Sequence, residues 1–251
     1  MGIQVYIDGG YLVYNYVYKG GYEQWVKDRA LYSKYAGCTI ITEGYKNIRK
    51  QLYPSYKANR DITKITDKQI EYRKRAKEIF NDINTNSMFD TLYHPLLEAD
   101  DILAIKALQG YPIITSDKDL AQLPEDCNIT KLDGTSLRTN LHAGIPKSLY
   151  DIPLTPDLYL LTLCLFGDKT DNVPRLIPKG VKAIRESRDI YESDKPFELA
   201  YSIYGDSFLD NIDMAHLPHR IAVNEKLDKE DVMHYISTGV WYEYVRNNTS
   251  L

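Results

Sequence analysis

Pro112-Ile113-Ile114-Thr115-Ser116-Asp117-Lys118-Asp119 is a short β-branched run that ends in two carboxylates. This is the pattern of a buried strand followed at once by polar residues at its carboxyl end. Working outward, the pattern recurs. An apolar run at 3–7 precedes Asp8, one at 38–42 precedes Glu43, and one at 89–93 precedes Glu98, Asp100 and Asp101. A fifth strand is predicted at 129–132. Helical patterns at 22–35, at 67–83 behind a cap at Asp67, and at 97–108 lie between these runs. Strand and helix alternating at this spacing predict an α/β fold with a central, mainly parallel, twisted sheet flanked by helices. Ligands in such sheets bind beyond the carboxyl ends of the strands, and four successive strand ends deliver acids to that edge.

The remainder reads as helical. Thr155-Pro156-Asp157 supplies a capping hydroxyl and a first-turn proline, and Gly167 closes the helix. Asp168 and Asp171 follow directly. Further helical patterns occupy 181–188, 196–204, 214–224 and 229–237. The expected organisation is an α/β core over 1–166, with a basic stretch at about 44–83, and a helical region over 167–251.

The chain of 251 residues is long enough for a substantial core, and its 43% hydrophobic and 26% charged content is that of an ordinary globular protein. No apolar run approaches the roughly 18–20 residues that span a bilayer. The opening residues read as a strand and not as a secretory signal. Cys38, Cys127 and Cys164 are odd in number and far apart, which suggests neither a disulfide frame nor a zinc site. A reducing cytoplasm is the expected compartment, that of the host cell for a viral protein. His216 and His219 are three apart, but Pro218 lies between them and no third ligand is near.

Net charge is −4, yet its distribution is polarised. Between positions 46 and 77 eleven Lys or Arg face three acids, a net +8 that leaves −12 for the rest. One surface therefore suits polyanions and another suits cations. Twenty-two tyrosines are an unusual number, read as core and surface filling.

The acids form a set of nine: Asp8, Glu43, Glu98, Asp100, Asp101, Asp117, Asp119, Asp168 and Asp171. Each alone has a plain explanation as a helix cap or surface turn. Their shared topological edge favours a joint role. Two carboxylates 4 Å apart repel by about 4 kcal/mol at an effective dielectric of 20, so protons or cations must neutralise such a set. Oxygen donors without His or Cys suit hard ions such as Mg²⁺ or Mn²⁺, and many carboxylates around phosphate suggest two of them.

Within the basic stretch, Lys57 and Arg60 are spaced to hold a phosphate, and Tyr56 beside them could stack on an unpaired base. Here the chain resembles a known family. Tyr56-Lys57-Ala58-Asn59-Arg60, Glu98-Ala99-Asp100-Asp101, Ser116-Asp117-Lys118-Asp119-Leu120 and Gly167-Asp168-Lys169-Thr170-Asp171-Asn172-Val173-Pro174 occur in this order. They look like the signature blocks of bacteriophage and bacterial 5′→3′ exonucleases and flap endonucleases, and Tyr6-Ile7-Asp8-Gly9 is similar to that family's first metal-binding strand.

The resemblance implies a PIN-like nuclease core with a helical arch and a C-terminal helix–turn–helix-type DNA-binding region. It implies a metal-dependent, structure-selective hydrolase of phosphodiester bonds near 5′ ends, acting in replication or repair. Asp8, Glu43, Glu98, Asp100 and Asp101 would hold a first divalent ion directly or through water, and Asp117, Asp119, Asp168 and Asp171 a second. Lys57 and Arg60 would be the catalytic cations at the scissile phosphate, with Tyr56 stacked on a terminal base. Arg175, Lys179, Gly180 and Lys182 would bind nucleic acid in a helical hairpin. The implied substrates are DNA with a 5′ flap, nick or free 5′ end, with RNA–DNA hybrid as a further class. The expected partners are a polymerase or single-strand-binding protein and no membrane, and the expected state is a monomer.

The chain departs from the family pattern in two places. Glu43 stands where relatives carry Asp. The hairpin reads Pro174-Arg175-Leu176-Ile177-Pro178-Lys179-Gly180-Val181-Lys182, with Arg175 and Pro178 in place of expected glycines, which counts against the K⁺ site of many relatives.

Three rivals stand beside this reading. A PIN-type ribonuclease is usually shorter and lacks the hairpin. A haloacid-dehalogenase-like phosphatase needs a second Asp two residues after the first, where this chain has Gly10. A non-catalytic DNA-binding module would be missing acids.

Overall fold

Five strands form one sheet: β1 (Val5–Asp8), β2 (Cys38–Ile41), β3 (Asp90–Leu92), β4 (Ile113–Ile114) and β5 (Ile129–Thr130). Their order is β3-β2-β1-β4-β5 and every pairing is parallel. These are the five strands predicted, in the predicted relation. The computed structural model describes residues 3–60, 66–138, 149, 151–178 and 180–249. By contacts the chain forms two compact units, interleaved in sequence. One is Met1–Asn47, Asp61–Asp117 and Cys127–Leu137; the other is Ile48–Arg60, Lys118–Asp126 and Arg138–Leu251.

The first unit is built on the sheet. All four residues of β2 are buried, as expected of a parallel strand covered on both faces. Ile7, Ile40 and Ile113 are wholly removed from solvent. After β1 the chain builds β2 and β3 on one side, then returns to place β4 on the other. The ends of β1 and β4 therefore flank the switch point where such sheets bind ligands.

Helix α1 (Gly9–Lys19) escaped the sequence reading because it starts with two glycines, each costing about 1 kcal/mol of helix propensity. Asp8 compensates as its N-cap, accepting the Tyr11 N–H at 3.0 Å. Gly9 is required by a close approach, since a Cβ there would lie 2.6 Å from the Ile41 carbonyl oxygen. Leu12, Val13, Tyr16 and Val17 form its buried face.

The helix expected over 22–35 is shorter. α2 (Gly21–Asp28) gives way to a 3-10 turn, Arg29–Tyr32. Trp25 is buried, and its indole N–H donates to Asp82, which also pairs with Arg29 at 3.0 Å. Helix α4 (Asp67–Thr85) is capped by Thr66 and not by Asp67, in a box closed by Gln69. Ile79 and Ile83 anchor its second half in the core that α1 and α2 share. α5 (Ala99–Leu108) is buried on almost every side.

The second unit is helical: α3 (Ile48–Leu52), α6 (Pro156–Phe166), α7 (Val181–Tyr191), α8 (Pro196–Tyr204), α9 (Asp206–Ala215), α10 (Arg220–Val223), α11 (Lys229–Ser237) and α12 (Trp241–Asn248). The single helix expected over 214–224 is two. Pro218 offers no N–H and disfavours the helical conformation at Leu217, so α9 ends and α10 begins beyond it. Among the described residues no helix is long and apolar enough to cross a membrane.

Candidate metal and nucleic-acid site

In the first unit the acids fall at the carboxyl edge of the sheet. Asp8 ends β1, and its second carboxylate oxygen accepts the Thr115 hydroxyl at 2.8 Å. The same Thr115 oxygen accepts the Asp117 N–H at 3.1 Å. Thr115 is fully buried, so one hydroxyl ties the end of β1 to the end of β4. Asp8 and Asp117 line a cleft there with Gly10, Tyr11, Tyr14 and Ser116. A Cβ on Gly10 would sit 3.2 Å from an Asp8 oxygen, so the glycine leaves that carboxylate room.

Glu43 follows β2 and its carboxylate accepts the Ala99 N–H at 3.4 Å. Asp101 accepts the Glu98 N–H at 3.2 Å as part of a capping box, and both acids are buried. Glu43, Glu98 and Asp101 thus secure the first turn of α5, while Asp100 in the same turn is half-buried.

Burial pushes the Asp8 carboxyl above the ordinary range, against the opposing pull of its hydrogen bonds from Tyr11 and Thr115. An acid raised on folding holds its proton more tightly in the native chain. Stability is therefore lost as pH rises from the ordinary carboxylate range through the raised value. Asp8→Asn keeps an oxygen for Tyr11 and removes the buried charge. In EDTA at pH 7 the variant should unfold at a higher midpoint than the native chain, and the difference should disappear on acidification. Thermal melts at two pH values check this, and a lower midpoint at pH 7 counts against it.

In the second unit the loop after α6 does the converging. Asp119, Asp168 and Asp171 place carboxylate oxygens within 4.8 Å of one another. Among the described residues this is the group of three or more acids that meets so closely. The loop is closed by two backbone bonds, Asp168 N–H to Val173 O at 3.2 Å and Val173 N–H to Asp168 O at 2.8 Å. Thr170 N–H donates to the Asp168 carboxylate at 2.6 Å, and Asn172 takes a left-handed φ of 60°. At 4.8 Å two carboxylates repel by about 3.5 kcal/mol at an effective dielectric of 20. The set demands cations.

Two are present. Lys57 Nζ lies 3.3 Å and Arg60 Nη2 2.6 Å from the Asp171 carboxylate. The Lys57 N–H also donates to the Asp171 carbonyl at 2.8 Å, and Asn59 donates to the Lys169 carbonyl. Residues 56–60 therefore dock as a unit on the loop. Lys57 is buried with a left-handed φ of 54°, whereas the Arg60 side chain is 54% exposed.

Tyr56 is not the exposed stacking platform expected of it. It is 4% exposed, packs with Val173 and Met214, and gives its hydroxyl to Asp171 at 3.1 Å. Arg175 lies over the Phe166 ring and donates to the Ile177 carbonyl at 2.6 Å. Gly180 caps α7. Lys179 and the side chain of Lys182 lie outside the described residues.

Sequence reasoning missed Thr115 and the buried anchor of residues 48–60. Arg49 donates to the His216 carbonyl at 2.9 Å, and Tyr53 donates to Asp213 at 3.0 Å. Asp213 in turn meets Arg220 at 2.7 Å and His219 at 3.3 Å, and these partners hold its carboxyl far below the usual range despite burial. Burial, with the neighbouring His219, pushes His216 down to about 3. A charged residue in a basic stretch carries no sign in the sequence that it will be buried.

A profile described as the N-terminal resolvase-like domain of 5′-3′ exonucleases matches residues 26–146. Over those residues the chain matches the 5′-3′ exonuclease family. Among curated proteins, the DNA polymerase I of Rhizobium leguminosarum is 31% identical over 190 residues, which cover 71% of this chain and 18% of that one. The chain thus spans less than a fifth of the polymerases it matches. Among solved structures, the 5′-exonuclease of bacteriophage T5 with bound zinc superposes with a TM-score of 0.60 at 18% identity, covering 98% of both chains. The T5 D15 flap endonuclease, in a pseudo-enzyme–product complex with DNA and metal ions, gives 0.58 at 16% identity, covering 98% of this chain and 97% of that one. At such identities the fold is what is shared, a five-stranded parallel sheet flanked by helices.

Proposed function

We propose that the chain is a structure-selective 5′-nuclease, a 5′→3′ exonuclease or flap endonuclease that hydrolyses phosphodiester bonds near the 5′ ends of DNA with two divalent cations, Mg²⁺ or Mn²⁺. The observation that carries this is one loop where three carboxylates converge within 4.8 Å while Lys57 and Arg60 grip one of them. A module that only bound DNA would need the cations and be weakened by the acids.

The donor set fits the ions. It is all oxygen and half-buried, and its spacing suits ligands around an octahedral ion at about 2.1 Å, some reached through water. Asp119, Asp168 and Asp171 would hold one ion. Asp8, Asp100 and Asp117 would serve the other, with Glu43, Glu98 and Asp101 fixing the turn that presents Asp100. What the ions supply when bound is Lewis acidity, through a more acidic water and a screened leaving oxygen.

Lys57 and Arg60 supply the charge that meets the phosphate as negative charge develops on it, exchanging Asp171 for the substrate. The basic stretch at 44–83 would act as the arch over a 5′ end. The hairpin between α6 and α7, with Arg175, Lys179, Gly180 and Lys182, would hold duplex backbone without reading sequence. In this reading 1–166 carries the α/β core, and 167–251 supplies Asp168 and Asp171 together with the duplex-holding region.

A labelled panel of flap, nicked, gapped and blunt DNA, RNA–DNA hybrid and single-stranded RNA, with Mg²⁺ and with EDTA, tests the proposal. The expected result is divalent-dependent cutting of DNA at flaps or free 5′ ends, weakening steeply with salt. Intact DNA beside cleaved RNA would transfer the chain to the PIN-type ribonucleases.

A further inference from the structure

Several tyrosines are exposed, and two of them, Tyr14 and Tyr18, form a row with Tyr72. Tyr14 and Tyr18, one turn apart on α1, are 61% and 51% exposed. Their rings lie 4.5 Å apart and their hydroxyls hydrogen-bond at 2.6 Å. The Tyr18 ring meets Tyr72 of α4 edge-on at 4.7 Å, and Lys68, one turn earlier on α4, brings its ammonium 5.6 Å from the centre of the Tyr72 ring. All four residues belong to the first compact unit. The row starts at the acid cleft, which Tyr14 lines together with Asp8 and Asp117.

Packing accounts for Tyr72, which is half-buried against the core, but not for Tyr14 and Tyr18, because the buried face of α1 is the one bearing Leu12, Val13, Tyr16 and Val17. Charge points to its occupant. Lys68 lies over Tyr72, and Lys19 and Arg73, which follow Tyr18 and Tyr72 in the chain, are exposed cations as well. Tilted and edge-on contacts leave ring face uncovered, and a base is the flat partner that suits such a face next to a lysine.

We propose that Tyr18 and Tyr72, with Lys68, form a stacking site for unpaired bases of a single-stranded 5′ tail leading away from the acid cleft. The proposal rests on the nuclease reading and adds to it a residue set distinct from the one around Lys57. Tyr18 lies ten residues from Asp8, about 15 Å of helix rise, so the site acts on a tail of several nucleotides and not on the terminal one. Stacking accepts every base, so the site selects strandedness, not sequence.

The test compares wild type with Tyr18→Ala, Tyr18→Phe and Lys68→Ala on two DNA duplexes, one blunt and one carrying a 5′ tail of about ten nucleotides, and on an oligothymidylate of the same length as a binding probe in EDTA. Tyr18→Ala should weaken oligothymidylate binding about fivefold or more and raise KM on the tailed duplex by a similar factor, while blunt-end cutting stays at the wild-type rate. Tyr18→Phe keeps the ring and should bind as wild type. Lys68→Ala should lower the salt slope of binding by about 0.7. Tyr18 is half-exposed, and an unchanged unfolding midpoint certifies the variant as folded. Unchanged oligothymidylate binding by Tyr18→Ala, or equal losses on both duplexes, overturns the proposal. If wild type cuts neither duplex in Mg²⁺ while Tyr18→Ala still loses oligothymidylate, the nuclease reading falls and the stacking site stands.

Discussion

Asp168→Asn should slow cleavage of a 5′-end substrate by about 10²–10³-fold while leaving stability within about 0.5 kcal/mol of the native chain. The separation follows from what the substitution keeps. Asp168 accepts the Thr170 N–H at 2.6 Å, and the amide oxygen of Asn can do the same. The two bonds between Asp168 and Val173 are backbone bonds and do not involve the side chain. What disappears is one of three negative charges within 4.8 Å. In EDTA that relieves repulsion, so the variant loses nothing in stability. On adding Mg²⁺ the native chain gains stability by binding the ion, and the variant gains less. Rates and unfolding midpoints measured across a Mg²⁺ titration report both effects. Asp168→Ala is the useful contrast, because it also removes the acceptor for Thr170 and should cost stability. A Asp168→Asn protein that cuts at the native rate in saturating Mg²⁺ removes the loop from the chemistry.

The parallel sheet was legible because its signal is redundant. Each β-branched run is short, bounded and followed by an acid, and β2 at Cys38–Ile41 reads as buried in the sequence and is buried in the fold. The helix after β1 was hidden by Gly9 and Gly10. Their low propensity is outweighed by a tertiary need, the 2.6 Å approach to Ile41, that no local pattern encodes. The candidate site was legible as a list of acids but not as geometry. Sequence position suggested one pocket for nine carboxylates. The structure draws Asp119, Asp168 and Asp171 tightly together and uses Glu43, Glu98 and Asp101 to hold a helix start. Tyr56 read as a base-stacking residue because it stands beside Lys57 and Arg60. It is buried because the loop it docks on offers Asp171 to its hydroxyl and Val173 to its ring. Thr115 went unnoticed because a hydroxyl at a strand end is common, and only the register of β1 against β4 brings it to Asp8.

Gly167→Ala should cost at least about 3 kcal/mol and remove cleavage with it. Gly167 ends α6 at φ 70° and ψ 170°, a conformation that glycine alone adopts without strain. A Cβ there would lie 2.5 Å from the Val173 oxygen, 2.8 Å from the Arg175 nitrogen and 2.9 Å from the Pro174 carbonyl carbon. All three are backbone atoms, so no side chain can swing aside. They belong to the segment that closes the loop on Asp168, so relief must come from opening the bridge that sets Asp168 and Asp171 beside Asp119. Gly180 is the internal control. Its φ of 132° is also unusual, but a Cβ there meets nothing within 4 Å. Gly180→Ala should therefore cost backbone strain alone, about 1–2 kcal/mol. Urea unfolding of the two variants gives the difference. Hydrogen exchange at 165–178 under native conditions shows where the damage lies, with Gly167→Ala expected to lose protection at Val173 and at Leu176 and Ile177, whose N–H groups donate to Leu165. Equal costs for the two glycines, or a Gly167→Ala protein that keeps its protection and its Mg²⁺-dependent activity, would mean that the loop tolerates the added carbon and that its closure does not set the spacing of the three carboxylates.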